Sequence, residues 1–128
     1  MRLNYDNVRS VLMILEDLFV IDEDFIMPPL CFTDIRGHEL SAEITDPDLM
    51  YAILMLYQAG FITGENMDVG LCYSCVAITS ITYAGHQYLD SVRDEKIWSG
   101  IKSRVSAMTF DIIISAAKQL ISAAVLSQ

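Results

Sequence analysis

The sequence predicts a mainly helical α+β fold with a β-hairpin near its centre and a long apolar helix at its C-terminal end. Three observations support this prediction: apolar residues at helical spacing near the N-terminus, cap residues at both ends of a second apolar segment, and strand and turn residues after that segment. At 128 residues, the chain is long enough to bury a core of its own.

The first predicted helix covers residues 5–19, with Asn4 as its N-cap. The apolar residues that fall on one face of this helix are Val8, Val11, Leu12, Leu15 and Phe19. Acidic residues at positions 22–24 and the pair Pro28-Pro29 end the helical pattern. Because a Pro pair disfavours helix and the residues after it suit an extended chain, we predict a short strand over residues 30–35.

The second predicted helix covers residues 47–59. Asp46 is its predicted N-cap, Pro47 suits the first helical position, and Gly60 suits a left-handed C-cap. The residues between these caps are apolar on nearly every side, which is typical of a helix that is buried against more than one neighbour.

Turn and strand residues after Gly60 predict a β-hairpin over residues 61–81 with a long tip. Thr82 then caps helical sequence that extends over residues 83–126, with Gly100 as its weak point. The order helix, strand, helix, hairpin, helix is that of a winged helix. We therefore predict a winged-helix-like domain over residues 1–93 and a helical extension for oligomerisation over residues 94–128.

Several short segments of the chain resemble one known family. They are the segment from Ile81 to Asp94, the nearby Trp98, the opening Arg2-Leu3-Asn4 and the apolar C-terminal helix, and the most specific is Gly85-His86 followed by Leu89-Asp90 and Arg93-Asp94. Together they resemble the phage and prophage family called domain of unknown function 2513. The resemblance implies a small bacterial or phage protein and assigns it no activity.

Charge is distributed unevenly along the chain. The segment from Gly37 to Val92 has no Lys or Arg but seven acidic residues, and the whole chain has a net charge of −9. Affinity for DNA comes mainly from Lys and Arg that neutralise phosphates, so direct binding of a duplex or of an anionic membrane is not expected. The composition instead favours a partner with a basic surface, either a host protein or a protein–nucleic-acid complex.

Four carboxylates around the start of the second helix form the candidate partner-binding surface: Glu39, Glu43, Asp46 and Asp48. They have two interpretations. One is ordinary solvation with favourable interaction at a helix N-terminus. The other is a phosphate-like surface that competes for a basic groove, as an inhibitor of host defence would. The alternatives from other classes are a transcriptional regulator that contacts DNA through Arg2, Arg9 and Arg36, and an accessory enzyme subunit.

The C-terminal helix has one narrow polar stripe, and its remaining surface is apolar. This pattern predicts a homodimer, because one small domain cannot cover so much apolar surface. The residues expected at the dimer interface are Phe110, Ile113, Ala117, Leu120, Ile121 and Ala124. The alternative of a membrane span is weaker, because Asp111 and Lys118 place two charges inside this helix.

No arrangement of residues in the sequence indicates an enzyme or a bound cofactor. Cys72 and Cys75 have the spacing of a zinc knuckle, to which Cys31 could contribute, but the segment reads as a strand and favours small buried thiols. The N-terminus lacks the apolar core of a secretory signal, so we expect a cytoplasmic protein with reduced cysteines.

Overall fold

A computed structural model describes residues 2–67 and 75–126, which form a mainly helical α+β fold with one small antiparallel sheet. The elements in chain order are α1 Tyr5–Leu18, β1 Leu30–Cys31, α2 Phe32–Arg36, a 3-10 turn Glu39–Ser41, α3 Asp46–Gln58, β2 Ile62–Glu65, β3 Ala77–Ile81, α4 Tyr83–Val92, α5 Glu95–Arg104 and α6 Phe110–Leu126. The chain divides into two compact units, Met1–His86 and Gln87–Gln128. Within the described ranges, no helix is both long and apolar enough to cross a membrane.

The prediction of α1 is confirmed. The side chain of Asn4 accepts hydrogen bonds from the backbone N–H groups of Asp6 at 2.9 Å and Asn7 at 3.2 Å, which satisfies two donors that the first helical turn leaves open. The face toward the core is fully buried at Val8, Val11, Leu12, Ile14 and Leu15. The apolar stripe in the sequence therefore fixes which side of the helix packs inward.

The strand predicted for residues 30–35 is wrong beyond Cys31. Leu30 and Cys31 pair with β3, and the chain then turns at once into α2. The carboxylate of Asp34 accepts a hydrogen bond from the backbone N–H of Cys31 at 2.8 Å, which closes the first turn of this helix. Phe32 and Ile35, three positions apart, both enter the core because the segment is helical.

Helix α3 is present where the sequence predicts it, but its N-cap is Thr45 and not Asp46. The hydroxyl of Thr45 accepts a hydrogen bond from the backbone N–H of Asp48 at 3.3 Å, and Asp46 and Pro47 occupy the first two helical positions. The carboxylate of Asp46 instead binds Arg36, which leaves the capping role to the hydroxyl one residue earlier.

The predicted C-terminal signal of α3 is confirmed at Gly60, whose φ is +79°. The backbone N–H of Gly60 bonds the carbonyl of Tyr57 at 3.0 Å, and the N–H of Phe61 bonds the carbonyl of Leu56 at 2.9 Å. This pair of bonds is the Schellman motif, in which a left-handed residue satisfies the last carbonyls of a helix. The chain leaves it directly into β2.

The three strands form an antiparallel sheet in the order β1, β3, β2, so that the C-terminal strand of the hairpin lies in the centre. The predicted hairpin is confirmed by the pairing of β2 with β3, which shifts register between Thr63 and Gly64. Residues 68–74 of the predicted hairpin lie outside the described residues. Behind this sheet, Ile62, Val76 and Ile78 are buried.

The prediction of a helix over residues 83–126 that weakens at Gly100 is wrong, because three helices are present and Gly100 lies inside α5. Asp94 begins α5 by accepting hydrogen bonds from the N–H groups of its first turn at 2.8 and 3.0 Å. Val105 is extended, and the hydroxyl of Thr109 caps α6. A side chain at Gly100 would lie 3.0 Å from a methyl group of Leu120, so this glycine permits a close approach of α5 to α6.

We expect Gly85→Ala to lower the free energy of unfolding by about 1–3 kcal/mol, the usual cost of forcing extra volume into a packed site. A Cβ at this position would overlap the carbonyl oxygen of Phe61 and lie 2.8 Å from Cγ2 of Ile81. Urea unfolding measures the change.

Gly100→Ala is the matched control. We expect little change there, because a gain in helix propensity of about 1 kcal/mol offsets contact with the mobile end of Leu120. Equal stability of the Gly85→Ala variant and the wild type would contradict the close packing of α4 on Phe61, the residue before β2.

Candidate protein-binding surface

The acidity of the chain belongs to its first unit. Residues 1–86 contain three Arg, no Lys and thirteen Asp and Glu, for a net charge of −10. Residues 87–128 contain five basic and four acidic residues, for a net charge of +1. A partner with a basic surface would therefore be attracted to the first unit and not to the second.

The three arginines of the first unit differ in how much they can contribute to its surface. Arg9 is 8% exposed, within α1. The guanidinium of Arg36 donates hydrogen bonds to groups of its own chain. Arg2 is exposed near the N-terminus. Two of the three cations through which a regulator could contact DNA are thus already engaged or covered.

The guanidinium of Arg36 fixes the loop that precedes α3. Its Nη1 donates to the carbonyl of Ile44 at 2.6 Å and to the carboxylate of Asp46 at 2.8 Å, and its Nη2 donates to the carbonyl of Ser41. Ser41 is fully buried, with its hydroxyl 2.9 Å from the carbonyl oxygen of His38. The loop therefore holds the start of α3 through charge-assisted hydrogen bonds, the stronger class of such bonds.

His38 joins the same loop to α1. Its Nδ1 accepts a hydrogen bond from the backbone N–H of Leu40 at 3.1 Å, and its Nε2 lies 2.8 Å from a carboxylate oxygen of Asp17. With Nδ1 as acceptor, Nε2 carries the hydrogen and donates a hydrogen bond to that carboxylate. The side chain of His38 is 13% exposed. Its role in positioning the loop could not be predicted from the sequence, because its partner Asp17 lies in a separate element.

The four carboxylates predicted to bind a partner all lie on the exposed rim formed by this loop and the first turn of α3. Glu39 begins the 3-10 turn, Glu43 follows it, and Asp46 and Asp48 open α3. Their electrostatic situations differ, because Asp46 is bound by Arg36 while remaining 56% exposed. Glu39, Glu43 and Asp48 are the members whose charge Arg36 does not neutralise.

The outward side of α3 continues this rim with apolar and aromatic groups. Tyr51, Leu54 and Met55 are half-buried, and Gln58 is exposed near the end of the helix. The sequence predicts burial of α3 on more than one side, and its buried residues are Leu49, Met50, Ala52, Ile53 and Leu56. Carboxylates at one end with an aromatic and a thioether beyond them suit contact with a protein.

A concave feature lies at the C-terminal end of α1. It is a cleft of about 480 Å³ lined by Met13, Glu16, Asp17, Phe19, Val20, His38 and Leu40. The lining combines apolar groups with two carboxylates, and the sequence reading did not anticipate it because its walls come from two separate segments.

Comparison with known proteins identifies the family. The family model described as "Hypothetical protein (DUF2513)" matches residues 2–111. The chain belongs to this family. An uncharacterized protein of Haemophilus influenzae is 27% identical over 124 residues, which cover 94% of this chain and 92% of that protein. A search of solved structures finds no match.

In this DUF2513 chain, the residues predicted to mediate oligomerisation fall into two groups. Ile113 and Ala117 are fully buried within the single chain, and the half-buried Phe110 meets the ring of Tyr88 edge to face at 5.0 Å. Leu120 is half-buried as well. Ile121 and Ala124 are exposed, so they are the members of the predicted set that a second chain could reach.

The cysteines differ from the expectation of small buried thiols. Cys31 is half-buried at the end of β1, Cys75 is exposed, and Cys72 lies outside the described residues. In the ranges 2–67 and 75–126, no group of three or more His, Cys, Asp and Glu is arranged to hold a metal ion.

We expect Arg36→Ala to lower the free energy of unfolding by about 2 kcal/mol, because hydrogen bonds to charged groups contribute about 1.5–3 kcal/mol. The substitution removes the donors from the carbonyls of Ser41 and Ile44 and leaves Asp46 unneutralised. Denaturant unfolding measures the loss.

Arg93→Ala is the control, since Arg93, just after α4, donates to the carboxylate of Asp90 at 2.8 Å in an exposed pair. Exposed pairs contribute about 0–1 kcal/mol, so the smaller effect is expected there. If both variants lose the same stability, Arg36 does not hold the loop in the way its bonds indicate.

Proposed function

We propose that the first unit is a winged-helix-like, non-enzymatic adaptor that binds a basic surface on a protein or a nucleoprotein complex. One observation carries the proposal. The exposed side of α3, the helix that follows the Arg36 loop, combines carboxylates with Tyr51, Leu54 and Met55 and has no cation. A surface of this kind attracts Lys and Arg over long range and offers apolar contact at short range.

The order and pairing of the elements support the winged-helix part of the proposal. Helices α1, α2 and α3 occur with a three-stranded antiparallel sheet, in which β1 lies between α1 and α2 in the chain and β2 and β3 form the hairpin after α3. In helix-turn-helix proteins, the second helix of the α2–α3 pair is the one that enters the major groove of DNA. A fold does not fix a function, however, so the chemistry of that helix decides which ligand it suits.

The regulator alternative needs cations on the same surface, and the first unit has few to offer. Arg9 is buried and Arg36 is held by its loop, which leaves Arg2 as the exposed arginine. A protein that contacts several phosphates normally neutralises each with Lys or Arg. The charge of the unit therefore supports a protein partner over a naked duplex.

We further propose that the protein is cytoplasmic and is encoded by a phage or prophage. Its acidic rim would then compete for a groove that normally holds nucleic acid. Inhibition of a host defence complex is one activity that such competition would produce. The rim supports this form because carboxylates on a fixed loop mimic the negative charge of phosphates without the flexibility of an isolated peptide.

We expect the double variant Glu43→Lys and Asp48→Lys to weaken binding to a partner captured from the bacterial host by at least about tenfold, chiefly through slower association. Both residues are exposed. Thr45 and Asp46 are left intact because they cap α3 and bind Arg36. Surface plasmon resonance at two salt concentrations gives the association rates.

The neutral pair Glu43→Gln and Asp48→Asn is the matched control and should give an intermediate loss. Unchanged binding by the double Lys variant would reduce the rim to a solvated surface. Tight retardation of duplex DNA in a gel at low salt, with a steep salt dependence, would favour the regulator instead.

We propose in addition that the protein is a homodimer through α6. Ile112, Ile121 and Val125 on this helix are 42%, 39% and 66% exposed, which is unusual for three large apolar residues on one helix. The near-neutral second unit carries little like charge to oppose association, whereas the first unit would repel its copy.

We expect Ile121→Lys with Val125→Lys to convert a dimer into a folded monomer, as measured by sedimentation equilibrium. Gln119→Lys, an exposed polar position on the same helix, is the control for added charge. Ile113→Glu should instead unfold the second unit, because Ile113 is fully buried. A wild-type monomer at micromolar concentration would contradict the dimer.

A further inference from the structure

The segment between α1 and the Pro pair exposes an unusual amount of apolar surface. We call residues 20–26 the Phe25 knuckle. Val20, Ile21, Phe25 and Ile26 are 64%, 67%, 90% and 57% exposed. Single exposed apolar residues are ordinary, but four large ones in one turn form the kind of patch that marks a contact with another molecule.

The knuckle is held in one shape by the carboxylate of Asp22. Its Oδ1 accepts hydrogen bonds from the backbone N–H groups of Asp24 at 2.9 Å and Ile26 at 3.0 Å. The backbone N–H of Asp22 bonds the carbonyl of Ile26 at 2.8 Å, and that of Phe25 bonds the carbonyl of Asp22 at 3.0 Å. These bonds close the turn from both sides.

Phe25 has a φ of +63°, in the left-handed region that bulky residues rarely adopt. The four bonds around Asp22 hold it there with the ring exposed. A turn whose backbone is fixed in this way loses little backbone freedom on binding, so more of the apolar contact of Phe25 is available as affinity. An aromatic residue is also among the commonest anchors of protein interfaces.

The cleft at the end of α1 adjoins the knuckle, because Val20 belongs to both. Its apolar walls carry the carboxylates of Glu16 and Asp17, and the side chain of Asp17 is 69% exposed. An aliphatic stem with a cationic head, as in Lys or Arg, matches this combination of groups. The cleft and the knuckle together therefore suit a ligand that carries a cationic group next to an apolar group.

The charges around these two features select the occupant. No Lys or Arg occurs between Arg9 and Arg36, whereas Glu16, Asp17 and the acidic residues at positions 22–24 all lie in this stretch. A second copy of the chain would bring the same carboxylates face to face, and an anionic membrane would repel them. A protein with Lys and Arg around an apolar pocket has the complementary arrangement.

We propose that the Phe25 knuckle and the α1 cleft form a docking surface for such a protein, with Phe25 in the apolar pocket and a partner cation in the cleft. The inference rests on the proposed basic partner and adds a contact surface at the C-terminal end of α1, where His38 and Leu40 from the loop before α3 form one wall of the cleft. It assigns Asp22 to holding the knuckle, and Glu23 and Asp24 to attracting the cations around the pocket.

The test uses the full-length chain and a synthetic amphipathic helix of Lys and Leu as the probe, with its Glu and Leu counterpart as the charge control. We expect Phe25→Asn to weaken binding of the Lys and Leu helix by about tenfold or more, measured by isothermal titration calorimetry. Asn adopts the left-handed conformation readily, so the turn should persist. Amide NMR signals of Asp24 and Ile26 check that it does.

Two further variants sharpen the test. Glu23→Lys with Asp24→Lys should weaken binding while Asp22 keeps the turn closed. Tyr83→Asn removes a 79% exposed aromatic residue outside the knuckle and should bind the probe as the wild type does.

Each outcome separates the docking surface from the proposed rim on α3. If Phe25→Asn binds like the wild type while Glu43→Lys with Asp48→Lys loses binding, the docking surface is overturned and the acidic rim stands. If the wild type does not bind the basic probe, the basic partner and the docking surface both fall. Equal binding of the Glu and Leu helix, or of lipid vesicles, would show an unspecific apolar contact and would also overturn the inference.

Discussion

The three hydrogen bonds from the Arg36 guanidinium are the interaction on which the first unit most depends. They hold the carbonyls of Ser41 and Ile44 and the carboxylate of Asp46, and so they fix where α3 begins. They also withdraw one of three cations from the surface of an acidic unit. Stability and surface charge are linked through this side chain, because the bonds that order the loop neutralise Asp46 and leave the negative charge of the rim to Glu39, Glu43 and Asp48.

Local signals in the sequence predict much of the fold, and each success rests on a backbone group that a nearby side chain can satisfy. Asn4 at the start of α1, Gly60 after α3 and Thr82 before α4 all act as the sequence indicates. The failures arise where a second residue competes. Thr45 and Asp46 both carry acceptors, and Arg36 decides between them by taking the carboxylate. Asp34 turns a predicted strand into α2 by bonding Cys31.

Distance along the chain limits what could be predicted of the candidate site. The absence of Lys and Arg between Arg36 and Arg93 is visible in the sequence, and it predicts the acidic rim. The bond between His38 and Asp17 is not, since it joins residues in two separate elements. The Phe25 knuckle could not be predicted from the sequence for another reason. Apolar residues within an acidic run carry no periodic pattern, and only their exposure distinguishes them from core residues.

The hydroxyl of Thr82 has a consequence for how this family can diversify. It donates to the carbonyl of Gly60 at 2.6 Å and accepts from the backbone N–H of Gly85 at 3.0 Å, while the backbone N–H of Thr82 bonds the carbonyl of Phe61. The two ends of the hairpin are therefore fastened to each other and to α4 at its base. Residues inserted between β2 and β3 would lengthen a connection whose base is already held together, at an entropic cost that grows only slowly with length. We therefore expect the fold of the first unit to tolerate different lengths at this position.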